Sequence, residues 1–434
     1  MGHCAWYFGR RAGPVFLDFP TDTLRADVPP AVQMDAQMRR INRSEFHPDP
    51  VAMAQAAGLI WQAKRTLVVG GRGARGAKAE LEEFLKASGA VFLDTGECKG
   101  VLADDHPGLV NAMRGTVMGD VDLVITLGRK LDLQFAYGSP AVFGQARWIR
   151  IADNAAELQD NRRGAAELQA SPRLALRALV AARRGRTSSD QAWRNRLCTR
   201  HAERSAKLAS DMATASNGAG GRMHPNCLLS DVQRASGDDA VVVADGGDFL
   251  AFARVGIRCS TYLDPGPLGC IGMGTSFGIG AALACPQRTV ALLTGNGAFG
   301  FNAMEIDTAV RHGAPVLVVV ANNGAWRIEV QDQTTTYGKV VSTRLQHADD
   351  AAIARTFGAH GERVENAEQL PLALERAMAV LKSGKPALLD VLVSGEPMSS
   401  DANSALAWVP DLQALAAWDE AERRWRAGCA TGGS

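Results

Sequence analysis

The sequence predicts an α/β protein built from two doubly wound domains, each around a mostly parallel sheet. The chain has 434 residues, a length that suits two or three ordinary domains. Hydrophobic residues make up 46% and charged residues 21% of it, which is enough apolar material for large cores. Short apolar runs alternate with amphipathic segments in two stretches of the chain. Buried parallel strands separated by helices produce this alternation.

The first element is predicted to be the end of a domain whose other part is missing. Residues 13–20, Gly-Pro-Val-Phe-Leu-Asp-Phe-Pro, have the pattern of a buried strand followed by a turn. A lone strand cannot bury both of its faces, so residues 1–27 are interpreted as a remnant. Residues 28–50 hold four prolines among polar residues and are predicted to be a linker.

The first α/β unit is predicted at residues 51–185. The expected strands are 66–69, 90–93, 123–126 and 148–151, with an amphipathic helix at 77–88. Residues 186–222 are predicted to be a connection, with a helix at 191–213 and a glycine-rich joint at 215–221.

The second α/β unit is predicted at residues 223–397. The expected strands are 240–244, 289–293, 316–321 and 387–393, and the expected helices are 274–284, 302–312 and 368–382. A tail follows at 398–434, with an amphipathic, charged stretch around 418–425 that is typical of a docking helix.

Composition excludes several classes of protein. The 47 basic and 46 acidic residues leave a net charge of +1, which argues against a nucleic-acid partner. The eight cysteines form no zinc-finger spacing and no disulfide framework, so a reducing cytoplasm is expected. The most apolar stretch, 269–286, contains five glycines and is predicted to be close-packed strand, loop and helix, with no membrane partner.

The most informative motif is a strand, turn and helix at 289–312, whose turn reads Gly-Asn-Gly-Ala-Phe-Gly. A second strand ends in Asn322-Asn323, so that Asn296 and Asn323 lie 27 residues apart. The carboxyl ends of parallel strands meet at one edge of a sheet, where α/β proteins bind ligands. Oxygen donors there suit Mg²⁺ bridging two phosphates. The alternative is a pair of tight turns with asparagine in the left-handed region.

These residues resemble the C-terminal signature of thiamine diphosphate (ThDP) enzymes, Gly-Asp-Gly followed further along by Asn-Asn. Residues 244–249 (Ala-Asp-Gly-Gly-Asp-Phe) and the glycine-rich stretch 263–274 are similar to the family's other cofactor loops. Residues 13–20 resemble the last strand of its pyrimidine-binding domain, and residues 51–183 resemble its central domain. The similarity is closest to acetolactate synthase-like proteins, including the 2-hydroxyacyl-CoA lyase branch.

The resemblance implies a function and a set of site residues. Members of the family make or break a carbon–carbon bond beside a carbonyl, through a ThDP carbanion. They are transferases, lyases or carboligases, and their substrates are 2-keto acids or 2-hydroxyacyl compounds such as a 2-hydroxyacyl-CoA. The implied metal ligands for Mg²⁺ are Asn296, Asn323 and the carbonyl of Ala325. The implied cofactor-binding residues are Gly247, Asp248, Gly269, Ile271, Gly295, Gly297, Ala298 and Phe299. Ile271 stands where a bulky apolar side chain bends the cofactor.

Two departures from the family weaken the expectation of catalysis. The family's catalytic glutamate lies in the pyrimidine-binding domain, whereas the first glutamate of this sequence is Glu45, in the predicted linker. The family's metal-binding aspartate is replaced by Asn296, which offers an oxygen without the charge. No catalytic residue is therefore assigned in this chain. The alternative function is a truncated, non-catalytic ThDP-binding half-site that needs a separate pyrimidine-binding domain. A homodimer or tetramer is expected, because the family's active site lies between subunits.

A second motif allows a different function. Residues 71–76 read Gly-Arg-Gly-Ala-Arg-Gly, which is a formal dinucleotide-binding pattern after a strand. Asp94 follows the next strand, at the position where an acidic side chain would bind the ribose of the nucleotide. An NAD-dependent oxidoreductase is the third hypothesis, although no hydride-transfer site is evident. The family resemblance allows FAD or an ADP-like nucleotide in this domain, and we do not expect either. Residues 331–337 are predicted to be a loop over the site or a polar connection, and Cys270 a small packing residue.

Overall fold

The computed structural model describes residues 16, 18–27, 45–182, 189–218 and 221–399, with residues 420, 424 and 427 in the tail. Over these residues the chain forms two α/β units, and every strand pair in both sheets is parallel. The predicted fold class is confirmed. Both sheets are covered by helices on two faces, which explains the near-continuous apolar strands of the sequence.

The first unit is built on a five-stranded sheet in the order β2-β1-β3-β4-β5. Its strands are β1 Thr66–Gly70, β2 Val91–Leu93, β3 Leu123–Leu127, β4 Arg147–Ala152 and β5 Ala166–Gln169. Its helices are Pro50–Gln62, Lys78–Ser88, Arg114–Asp120, Pro140–Phe143, Ala155–Leu158 and Pro172–Ala181. The edge strand β5 is absent from the predicted set, because Ala-Glu-Leu-Gln is short and only half apolar.

The second unit is built on a six-stranded sheet in the order β10-β11-β9-β8-β6-β7. Its strands are β6 Val241–Asp245, β7 Thr261–Leu263, β8 Val290–Gly295, β9 Val316–Asn322, β10 His360–Val364 and β11 Ala387–Leu392. Its helices are Pro225–Ser236, Asp248–Gly256, Gly274–Ala284, Asn296–Phe299, Glu305–Arg311, Arg327–Tyr337, Asp350–Thr356 and Leu370–Lys382. The four central strands follow the prediction closely, whereas the two edge strands β7 and β10 were not predicted.

The helix Gln191–Thr214 connects the two units, as the sequence predicts. Trp193 and Leu197, near its start, are buried in the core of the first unit. Met212, near its end, is buried in the core of the second unit. The helix is therefore anchored at both ends by apolar burial. None of the helices in the described part of the chain is long and apolar enough to cross a membrane.

The structure corrects one prediction near the N-terminus. No strand forms over residues 16 and 18–20, the described part of the predicted strand, and the Phe16 side chain is 89% exposed. A strand needs a neighbour to satisfy its backbone, and an apolar run alone does not provide one. The helix Thr21–Arg25 that follows buries none of its residues. Residues 28–44 of the predicted linker, and most of the predicted tail helix, lie outside the described residues.

Two predictions near the candidate site are also wrong. Residues 331–337 belong to the helix Arg327–Tyr337 and do not form a loop. Their polar sequence has no apolar stripe, and it therefore lacks the periodicity that would have indicated a helix. Cys270 is exposed, so it does not serve as a packing residue within the described chain.

Candidate cofactor site

The candidate site lies at the carboxyl edge of the second sheet, where β6, β8 and β9 end side by side. Asp245 of β6 is level with Thr294 of β8, and Gly295 of β8 is level with Ala321 of β9. A pocket of about 70 Å³ opens between the segments that follow these strands. The predicted residues that line it are Gly247, Asp248, Ile271, Gly295, Asn296, Gly297, Ala298, Asn323 and Ala325.

Two of the predicted cofactor residues do not line this pocket. Phe299 is buried and belongs to the apolar core that packs beneath the loop. Gly269 lies in the turn after a short helical segment and has a φ of +62°, a conformation that favours glycine. Neither residue therefore lines the space in which a ligand would lie.

The two asparagines differ in how their side-chain oxygens are satisfied. The Oδ1 atom of Asn296 is buried and has no hydrogen-bond partner among the described residues. The Oδ1 atom of Asn323 accepts a bond from the amide of Ala325 at 3.0 Å. Neither asparagine has a positive φ, so the alternative of two left-handed turns does not hold. Because buried oxygens normally have a partner, the free oxygen of Asn296 fits a cation ligand.

The charge of the pocket is nearly balanced. Asp248 and Glu329 supply the carboxylates, and Arg327 is the only cationic side chain that lines the pocket in the described structure. Burial raises the pKa of Asp248, and the nearby Arg327 acts in the opposite direction. A diphosphate would therefore meet little positive charge from the protein, and a bound cation would have to supply most of it.

Trp326 is a pocket residue that the sequence analysis did not identify. A Cβ atom at Gly297 would lie 2.8 Å from the Trp326 ring, so only glycine allows this approach. The ring also makes an edge contact with Phe301, with 5.8 Å between the centroids. The sequence contained one signal for this residue, because an aromatic side chain directly follows the Asn-Asn-Gly-Ala turn. Its role could not be predicted from that position, because it depends on contact with the distant glycine loop.

Asp245 is a second residue that sequence reasoning missed. Its carboxylate accepts bonds from the amides of Gly246 at 2.7 Å, Gly272 at 3.0 and 3.1 Å, and Gly274 at 2.7 Å. Burial raises the pKa of Asp245, while these three donors lower it. The carboxylate therefore ties the loop that carries Ile271 to the end of β6.

The glycine motif of the first unit serves a packing role in this structure. The amides of Gly71 and Gly73 donate to the carbonyls of Leu127 and Gly128 at 3.1 and 3.4 Å. A Cβ atom at Gly71 would lie 2.2 Å from the Gly128 oxygen. These two amides are thus already bonded to the end of β3 and do not present themselves to a phosphate.

A larger cavity, of about 630 Å³, lies beyond the end of β2. It borders Asp94 and the connecting helix Gln191–Thr214, and none of the predicted ThDP or metal residues lines it. Burial raises the pKa of Asp94. Among the described residues, no group of three or more His, Cys, Asp or Glu side chains could hold a metal ion.

Comparison with known proteins identifies the class. Residues 246–391 match the thiamine pyrophosphate enzyme C-terminal TPP binding domain, and residues 53–179 match the thiamine pyrophosphate enzyme central domain. Thiamine pyrophosphate is another name for ThDP. The chain belongs to the thiamine pyrophosphate enzyme family.

Within this family the chain is similar to acetolactate synthases and 2-hydroxyacyl-CoA lyases. It is 32% identical over 399 residues to a probable acetolactate synthase of Mycobacterium bovis, covering 88% of this chain and 68% of that protein. It is 29% identical to 2-hydroxyacyl-CoA lyase 2 of Caenorhabditis elegans, in a match that covers 73% of this chain and 50% of that protein. It is 27% identical to oxalyl-CoA decarboxylase of Escherichia coli, in a match that covers 88% of this chain and 68% of that protein.

Proposed function

We propose that this chain binds ThDP and Mg²⁺ as the diphosphate-binding half of an acetolactate synthase-like carbon–carbon lyase or ligase. The observation that carries the proposal is the buried, unpartnered Oδ1 atom of Asn296 in a pocket at the ends of three parallel strands. When bound, the cofactor supplies a ring that accepts the electrons of a bond made or broken beside a carbonyl.

The residues of the pocket fit a metal–diphosphate group. Asn296, Asn323 and the carbonyl of Ala325 would hold Mg²⁺, which prefers oxygen ligands. Backbone amides of the loop at 295–298 would contact the diphosphate. Ile271, held by Asp245 through the neighbouring amides, would support the cofactor from below.

The structure also favours the second candidate function, a half-site completed by a separate pyrimidine-binding domain. Four exposed apolar side chains lie on the chain segments that adjoin the pocket residues Ile271 and Ala298, and we call them the apolar rim: Leu268, Phe277, Phe301 and Met304. Leu268, Phe301 and Met304 are 91%, 61% and 67% exposed. Large exposed apolar groups that cluster together are typical of a surface on which another domain packs.

Glu45 does not supply the missing catalytic group in this structure. Its carboxylate pairs with Arg173, on the helix Pro172–Ala181 of the first unit. The catalytic glutamate would therefore come from a pyrimidine-binding domain outside the described residues. We propose that turnover of a 2-keto acid or a 2-hydroxyacyl-CoA requires that domain.

Tryptophan fluorescence tests the proposed cofactor site. Because the Trp326 ring covers Gly297 of the loop, ThDP with Mg²⁺ should quench part of the fluorescence in a saturable way, and EDTA should reverse it. In the Trp326→Phe variant the quenching should largely disappear, whereas Trp61→Phe, in the first unit, should leave it intact. Quenching that is insensitive to EDTA, or that is unchanged in the Trp326→Phe variant, would contradict the proposal.

A further inference from the structure

The turn that carries Asn323 and Ala325 is held by a second segment, residues 343–347, which we call the strap. The amide of Trp326 donates to the Thr343 carbonyl at 2.8 Å, and the amide of Leu345 donates to the Gly324 carbonyl at 2.7 Å. Ala325 also forms an antiparallel bridge with Arg344. The position of the metal-binding turn therefore depends on the position of the strap.

His347 is the residue of the strap that reaches beneath the turn. Its Nδ1 atom lies 3.1 Å from Oδ1 of Asn322, the buried last residue of β9 and the immediate neighbour of Asn323. Its ring also packs against Gly324, where an added Cβ atom would lie 2.9 Å from the ring. Gly324 has a φ of +64°, which adds a conformational reason for glycine.

The hydrogen-bond partners define which ring nitrogen carries the proton. Asn322 Nδ2 donates to the Ala348 carbonyl at 3.1 Å and to Asp390 Oδ1 at 3.0 Å, so the Asn322 oxygen must face His347. The His347 Nδ1–H group therefore donates to that oxygen. On the other side, Arg222 Nη1 lies 2.6 Å from Nε2. A guanidinium can only donate, so Nε2 accepts and the ring is neutral.

The charged surroundings of His347 agree with a neutral ring. Burial, followed by the positive charges of Arg222 and Arg363, lowers the pKa of His347. Arg363 pairs with Asp390 at 3.3 Å and donates to the His347 carbonyl at 3.4 Å. In the described structure no carboxylate contacts the ring directly, so no negative charge there would stabilise the cationic ring that a proton on Nε2 would create.

Arg222 connects this network to the joint between the two units. It follows the predicted joint directly, and its carbonyl accepts from the Gly218 amide at 2.8 Å. The next residue, Met223, forms a parallel bridge with Val393, beside the end of β11. One chain of hydrogen bonds thus runs from the joint through Arg222, His347 and Asn322 to the metal-binding turn.

We propose that His347 is a positioning residue for the metal-binding turn. By donating to Asn322 and accepting from Arg222, it fixes the last residue of β9, and with it the oxygens of Asn323 and Ala325. The inference rests on the proposed function of this pocket. A residue that orients a metal ligand in this way affects metal affinity without touching the metal.

Amide hydrogen exchange tests the role of His347 without any cofactor. His347→Ala should increase exchange of the peptide covering residues 322–327 at least fivefold, and Arg222→Ala should act in the same direction. His347→Gln, which can both donate and accept, should restore most of the protection. His312→Ala, on an exposed helix end, is the matched control. Unchanged exchange in His347→Ala would overturn the inference whatever the cofactor does.

Calorimetry with ThDP and Mg²⁺ supplies the second readout. His347→Ala should weaken Mg²⁺-dependent ThDP affinity by about tenfold, and His347→Gln by much less. Equal affinities of the wild-type protein and His347→Ala would overturn this inference alone. Absence of binding to the folded wild-type protein would instead overturn the proposed function, and with it the role of His347 toward the metal.

Discussion

At the scale of the residue, the central feature of this protein is a carboxamide, Asn296, at the proposed position of a metal ligand. Asn296 places an unpartnered oxygen in the pocket, but it brings no negative charge. Attraction between a divalent ion and its ligands is mainly electrostatic, so a neutral ligand set binds Mg²⁺ weakly. We therefore expect this pocket to bind Mg²⁺ with low affinity.

Restoring the carboxylate should strengthen the site. In the Asn296→Asp variant, Mg²⁺-dependent ThDP affinity should rise by about tenfold or more, equivalent to about 1.4 kcal/mol. Asn302→Asp, a nearby asparagine whose amide group donates to the Gly272 carbonyl, is the matched control and should not raise the affinity. Calorimetric titration measures both. A gain in the control, or none in Asn296→Asp, would show that position 296 does not bind the metal.

A buried carboxyl pair behind the site predicts a pH dependence of stability. Burial, and then the neighbouring Asp390, raise the pKa of Asp350 to about 7. Because this pKa lies above the unfolded value, the folded protein holds an extra proton between about pH 4 and 7. Stability should therefore fall as pH rises through that window, and then level off.

Thermal unfolding at several pH values tests this dependence. Asp350→Asn should remove much of the fall between pH 5 and pH 8, so that the variant gains stability relative to the wild-type protein as pH rises. Asp350→Glu keeps an ionisable group and should keep the slope. Identical slopes in the wild-type protein and Asp350→Asn would refute the assignment.

The site residues that sequence reasoning found are those inside local motifs. Asn296 and Asn323 were identified because each follows a strand within a short, recognisable run. Asp245 and Trp326 were not identified, because their partners, Gly272 and Gly297, lie about 27 to 29 residues away. Contacts of this kind depend on the packing of loops, which no local pattern encodes.

At the scale of the element, the central strands were predictable, whereas β2 was the only one of the four edge strands that the sequence predicted. β1, β3, β8 and β9 are continuous apolar runs because both of their faces are covered. The edge strand β10 reads His-Gly-Glu-Arg-Val and has mostly half-buried residues. Such strands are formed by pairing with a neighbour, and their own sequence gives little indication of it.

The glycine motif of the first unit gives a prediction at this scale. Gly71→Ala should destabilise the protein by about 2 kcal/mol or more, because the added methyl group meets the Gly128 backbone at 2.2 Å. Gly76→Ala, where the added methyl group has nothing within 4 Å, should be neutral or slightly stabilising. Urea unfolding followed by circular dichroism provides the midpoints. Equal effects of the two substitutions would contradict the packing role of Gly71.

At the scale of the whole molecule, the apolar rim makes the pocket part of a larger surface. It lies beside the loop that holds Ile271, and Phe301 contacts both Gly272 and Trp326. Burying such side chains contributes roughly 25 cal/mol per Å². We therefore expect the chain to self-associate, or to bind a partner domain, through this surface.

Self-association should depend on the rim. The double variant Phe301→Ser with Met304→Ser should shift the sedimentation profile toward monomer. Leu372→Ser changes an equally exposed side chain on the helix Leu370–Lys382, which packs on the other face of the sheet, and it should not shift the profile. A wild-type protein that is monomeric at high concentration, or a double variant that associates as the wild type does, would contradict this expectation.

A calorimetric titration of the purified, folded chain with ThDP, in the presence and absence of Mg²⁺, shows directly whether this pocket is a cofactor site. We expect saturable binding that requires Mg²⁺ and is lost when Asn296 and Asn323 are both replaced by alanine. Absence of binding at high cofactor concentration, or binding that is the same without Mg²⁺, would contradict it. Such a result would mean that this chain keeps the fold of the family without its cofactor site.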